Sequence, residues 1–191
     1  MKNFTALMIG LLICSGVYAQ QKFERESRIK ENEVPDQAID FVQNLFEEST
    51  RVKWYREENL DGIAIEGKTK RDEGVYSVKF SADGDLYDVE LTQDFQDLPE
   101  DAQEEIEEYL SENYHRYRIK KVQVQWSGDA DQVGALVRDR EPGEDIETRY
   151  EIEFTGRKDR KTVSFEGVFD HEGEHLETKE IVPRNISHLL Y

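Results

Sequence analysis

The sequence predicts an α+β protein: a tandem repeat of a helix plus an antiparallel β-meander, with the helices packed on one face of a curved sheet. The first observation is a doubled opening. Val34-Pro35-Asp36-Gln37-Ala38 and Leu98-Pro99-Glu100-Asp101-Ala102 begin alike, 64 residues apart. The second is the spacing behind each proline, where apolar side chains recur at the third, seventh, tenth and eleventh positions: Ala38, Val42, Leu45 and Phe46, then Ala102, Ile106, Tyr109 and Leu110. That is one face of an amphipathic helix, used twice. The third is that period-two apolar sequence follows each helix, punctuated by Asp61-Gly62 and Asp83-Gly84, pairs that supply the positive φ of tight hairpin turns.

Residues 1–19 read as a signal peptide. Lys2 is a small positive region, Phe4 to Cys14 an apolar run, and Val17-Tyr18-Ala19 a cleavage site that leaves Gln20 as the new N-terminus. The apolar run is shorter than the roughly 20 residues that span a bilayer, so no membrane span is expected after cleavage. The expected location is secreted or periplasmic. Cys14 is the only cysteine and leaves with the leader, so the exported chain must stand on its hydrophobic core without disulfides.

Residues 20–33 are charged and aperiodic and read as a flexible lead-in or the frayed start of the first helix. The first repeat is expected over 34–95. Its helix starts at Pro35, where a missing N–H costs nothing in the first turn, and Asp36 complements the helix dipole. Its strands carry Val52 and Trp54; Ile63 and Ile65; Tyr76, Val78 and Phe80; and Leu86 or Tyr87, Val89 and Leu91. The second repeat, 96–182, has a helix from Pro99 to about Tyr114. Strand signals follow at Val122, Val124 and Trp126; Val133, Ala135 and Val137; Tyr150, Ile152 and Phe154; Val163 and Phe165; and Leu176 to Ile181. Val182-Pro183, with Ile186 and Leu190 behind it, reads as a short C-terminal helix over 183–191.

The formal net charge is −18, which repels phosphate backbones and argues against nucleic acid as a partner. Nine Phe, nine Tyr and two Trp in regular alternation supply enough apolar area to order so charged a chain.

Few residues suggest chemistry. His171-Glu172-Gly173-Glu174-His175 matches the His-Glu-x-x-His string of zinc hydrolases, whose mechanism needs a helix to put both imidazoles on one face. Here the string follows a strand and carries a central glycine, which favours a hairpin tip and leaves a zinc-dependent hydrolase as the alternative reading. The exported chain contains no cysteine nucleophile, no Gly-x-Ser-x-Gly elbow and no phosphate-cradling glycine loop, so no catalytic residue, metal site or cofactor is expected. Against the acidic background, Tyr114-His115-Arg116-Tyr117-Arg118 forms a basic and aromatic cluster, a candidate partner-binding surface because Tyr and Arg are enriched at interface hot spots.

The Val/Leu-Pro helix starts, the aromatic strands Val52-Lys53-Trp54 and Val124-Gln125-Trp126, and the hairpin Phe80, Gly84, Leu86 together resemble the PepSY-like secreted proteins of Bacteroidetes, whose fold is similar to β-lactamase inhibitory protein. The resemblance implies a tandem α/β repeat in the periplasm or at the cell surface, with an inhibitory or ligand-binding role. The expected function is therefore a secreted, non-enzymatic binding or inhibitor-like protein. It would recognise an unknown protein or envelope component through its sheet face or hairpin tips.

Overall fold

The computed structural model describes residues 20–22, 24–46, 50–59, 62–141, 143, 145–158 and 161–181. The leader expected over 1–19 and the helix expected over 183–191 lie outside them.

Ten strands form one sheet in the order β1-β10-β9-β8-β7-β6-β5-β4-β3-β2. They are β1 (Gln20–Lys22), β2 (Glu24–Arg28), β3 (Lys53–Asn59), β4 (Gly62–Arg71), β5 (Gly74–Ser81), β6 (Leu86–Gln93), β7 (His115–Gly128), β8 (Ile146–Lys158), β9 (Lys161–Asp170) and β10 (His175–Ile181). Every pairing is antiparallel except β1 with β10. Three α-helices are described: α1 (Asp36–Phe46), α2 (Glu100–Asn113) and α3 (Ala130–Asp139).

Helices α1 and α2 form where the proline-led periodicity placed them, and they bury the predicted faces: Ala38, Val42, Leu45 and Phe46 on α1, Ala102, Ile106 and Leu110 on α2. Each helix start is pinned by a hairpin tip. Gly84 (φ +100°) at the β5–β6 turn is so close to α1 that an added Cβ would sit 2.9 Å from Pro35 Cβ, and Gly173 (φ +93°) at the β9–β10 turn would meet the Ala102 carbonyl oxygen at 2.7 Å. Only glycine reaches both the dihedral and the contact.

The tandem repeat of helix-plus-meander units is not what forms. The sheet is continuous, because β6 pairs with β7 in the register Val89↔Trp126 to Gln93↔Val122 and leaves no boundary between two meanders. A third helix also crosses between the halves. Val133, Ala135 and Val137 read as a strand by alternation, yet Val133 and Val137 are equally one helical turn apart. The cap decides: Asp129 Oδ1 accepts from the N–H groups of Asp131 (3.1 Å) and Gln132 (3.2 Å), starting α3. Helix α3 then packs against α1 and delivers Val133 and Val137 into the core formed by Val42, Phe46, Trp54, Val78 and Phe80. The first half of the chain therefore closes its core with residues from the second. The other core gathers Ile106, Leu110, Ile152, Phe154, Phe165 and Phe169, and Trp126 touches both. Burying any one of those aromatic rings is worth about 1.5–3 kcal/mol, so the shared cores dominate the stability.

Two strands lie within the lead-in expected over 20–33. Glu24–Arg28 pairs along β3, from Glu24↔Asn59 to Arg28↔Tyr55, while Gln20–Lys22 pairs with Lys179–Ile181 of β10. These two short strands thus form the two ends of the sheet, β1 beside β10 and β2 beside β3.

Candidate functional site

The helices cover one face of the sheet. On the other face, alternation within each strand brings polar residues into register across it. One row runs Tyr55, Glu66, Lys79, Asp88 and the next Lys68, Ser77, Glu90, Gln125, Arg149. Strands lie about 4.8 Å apart, so in a flat sheet Glu26 on β2 and Glu153 on β8 would be separated by about 29 Å. Both instead line a single cavity of about 360 Å³. The sheet is therefore strongly curled, and its helix-free face is the inside of the curl.

Curling explains an unusual core composition. Glu57, Glu66 and Glu90 are 2%, 4% and 5% exposed. Buried carboxylates must be paired. Lys79 Nζ lies 3.6 Å from Glu57, and Lys68 Nζ lies 2.9 Å from Glu66 and 2.8 Å from Glu26. The Ser77 hydroxyl donates to Glu66, the Gln123 amide to Glu90, and the Gln125 amide to Asp88 (3.3 Å) and Glu151 (3.2 Å). One carboxylate oxygen each from Glu26, Glu57 and Glu66 lie within 4.8 Å of one another, and the Lys68 ammonium is bound to two of the three.

The electrostatics of this trough are set by crowding. Burial lowers the pKa of Lys79, but the carboxylates of Glu90, Asp88, Glu57 and Glu66 outweigh it and hold the ammonium charged well above its ordinary range. Burial, reinforced by Glu90, pushes the Asp88 carboxyl up to about 7 against the pull of Lys79. One group of the cluster is thus poised to hold a proton near neutrality. Six glutamates against three lysines line the cavity, so it carries an excess of negative charge.

The predicted partner-binding residues Tyr114, His115, Arg116, Tyr117 and Arg118 lie at the end of α2 and the start of β7. Tyr114 follows α2 and packs edge-on against Phe154 with ring centroids 4.7 Å apart, so it belongs to the margin of the core, and Tyr117 packs there as well. A bulge between His115 and Arg118 puts Arg116 at φ +61°. His115, Arg116 and Arg118 are exposed.

The His-Glu-x-x-His string lies in the β9–β10 hairpin, not on a helix. Asp170 Oδ1 accepts from the N–H groups of Glu172 and Glu174, both at 2.9 Å, and shapes the turn. His175 faces α2, stacked on Tyr109, and its Nε2 bonds Thr178 Oγ1 at 2.8 Å. The helical geometry of a zinc hydrolase is absent from this string.

The trough residues were not singled out by sequence. Their signal is the alternation Lys53-Tyr55-Glu57, Glu66-Lys68, Ser77-Lys79 and Asp88-Glu90, which is also the pattern of any solvated sheet face.

No family model and no curated protein matches the chain. Solved structures of similar fold include a DUF2874 family protein from Bacteroides ovatus ATCC 8483, with TM-score 0.54 and 12% identity over 83% of this chain and 98% of that one. A BLIP-like protein from Bacteroides fragilis NCTC 9343 aligns with TM-score 0.49 and 18% identity over 81% of this chain and 92% of that one. At these identities the likeness is one of fold, and membership of the PepSY-like family is not shown.

Proposed function

We propose that this chain is an exported, non-enzymatic binding protein whose curled sheet face receives a basic segment of a protein partner. The observation that carries the reading is the Lys79-centred trough: a preorganised polar lining with more carboxylates than ammoniums, in a chain of formal net charge −18. Charge complementarity of this kind favours a cationic partner and speeds its encounter. The fixed amide and hydroxyl donors around the carboxylates keep the lining rigid, which lowers the cost of binding. A cavity of about 360 Å³ suits one or two lysine or arginine side chains from a loop. Export is supported by the composition of residues 1–19, and a periplasmic or cell-surface partner follows from it.

Two measurements test this. N-terminal sequencing of the protein recovered from the envelope or medium should begin at Gln20. Titration of the exported chain with an arginine- and lysine-rich loop peptide should show saturable binding that weakens steeply with salt. An acidic peptide of equal length should not bind. Equal binding of both peptides, or a basic peptide that binds as well in 1 M salt, would defeat the reading.

A further inference from the structure

We infer that the seam between α1 and α3, on the side of the molecule opposite the trough, is a binding site for a small aliphatic carboxylate. A cavity of about 280 Å³ opens where the C-terminal ends of these two helices meet the β4–β5 hairpin. Its rim carries Arg71, Arg138 and Arg140, together with Asn44 and Glu73. Its floor is apolar, made by Phe46, Tyr76 and Val137. A second cavity of about 210 Å³ shares Asn44, Leu45 and Arg138 with the first and continues along the seam past Phe41 and Gly134 to Asp131.

The cations are not all consumed by the fold. Arg71 Nη1 donates to the Phe46 carbonyl (2.9 Å) and to Thr50 Oγ1 (3.3 Å), which ties down the end of α1. Arg138 pairs with Asp139 at 2.8 Å. The Arg140 guanidinium has no partner among the described residues. Its backbone holds φ 61° and ψ 25° at the end of α3, a left-handed conformation where glycine would be the ordinary choice. Arg140 is exposed and lines the same cavity as the buried Phe46, Tyr76 and Val137.

This combination selects the ligand class. A planar guanidinium matches a carboxylate in a bidentate fashion. The apolar floor along the seam accepts methylene groups. Glu73 on the rim is outnumbered by Arg71, Arg138 and Arg140, whereas Asp131 at the far end faces only Arg138, so the ligand is a monocarboxylate with its head at Arg140 and its chain running toward Phe41 and Gly134.

The probe is hexanoate, titrated into the exported chain and followed by backbone amide shifts. Saturable shifts at Gly134, Val137 and Arg140 are expected, with hexanol and hexylamine at least five-fold weaker. Arg140→Gly removes the guanidinium while suiting the left-handed backbone. It should leave the melting temperature unchanged or raised and weaken hexanoate at least five-fold, and Arg140→Lys should recover part of the loss. The proposal is overturned if no saturable shift appears, if hexanol matches hexanoate, or if Arg140→Gly binds as well. It is equally overturned if binding appears only after removal of residues 183–191, since the chain's own tail would then be the occupant.

Discussion

The imidazole of His175 lies flat on the phenol of Tyr109, ring centroids 3.9 Å apart and planes 10° from parallel. Phe169 closes the edge at 5.6 Å, and Thr178 Oγ1 is hydrogen-bonded to both the His175 ring and the Tyr109 hydroxyl. A residue that looks like a metal ligand in sequence is thus the clasp between α2 and β10. Burial lowers its pKa, against the opposing effect of Glu177. The unfolded chain therefore takes up a proton at a higher pH than the folded one, and the clasp loses stability as pH falls below about 6.5. His175→Phe keeps the stack and should cost about 1 kcal/mol at pH 7.5 for the lost hydrogen bond. Urea denaturation should show that deficit shrinking at pH 5.5. A deficit that grows on acidification would contradict the assignment.

Asp88 behaves in the opposite sense. Its carboxyl is pushed up to about 7 from an ordinary value of 3.8, so the folded state holds a proton that the unfolded state has released. Stability from this group is greatest below about pH 4 and declines as pH rises toward 7. Asp88→Asn should stabilise the protein by about 1–2 kcal/mol at pH 8, after allowance for partial exposure, and leave it unchanged at pH 4. Thermal melts at the two pH values decide it.

Lys79 is the counter-charge of the trough. Lys79→Met leaves Glu57, Glu66, Asp88 and Glu90 facing one another and should cost about 2–4 kcal/mol at pH 7.5. The loss should be partly recovered near pH 5, where Asp88 is neutral. The same variant of a merely solvated lysine would show neither effect.

Gly173→Ala and Gly134→Ala form a matched pair. An alanine Cβ at 173 would sit 2.7 Å from the Ala102 carbonyl oxygen at φ +93°, so the hairpin tip must leave α2, at about 2–3 kcal/mol. At 134, inside α3, the nearest atom is 3.8 Å away, and alanine should gain about 0.5–1 kcal/mol. Denaturation midpoints that move in the same direction would refute this reading of the backbone.

Local chemistry was legible in the sequence. Pro35 and Pro99 with their trailing apolar faces marked α1 and α2, and period-two aromatics marked the strands from Trp54 to Phe165. What was hidden lies in long-range pairing. The β6–β7 register that fuses the sheet is carried by backbone groups and has no side-chain signature. The α3 segment satisfied both periods, and the Asp129 cap that starts the helix lies outside either pattern. The burial of Glu57, Glu66 and Glu90 follows from the curl of the sheet, a property of ten strands together and of no single one.

The ribbon from Gln20 to Arg28 has a mechanical corollary. Because it is laced to β10 at one end and β3 at the other, a foreign β-segment can pair with Lys179–Ile181 of β10 or Tyr55–Asn59 of β3 only by displacing it. A single proteolytic nick that released these few residues would bare two sticky flanks at once. Each bared flank would then offer a strand edge to which another β-segment could add.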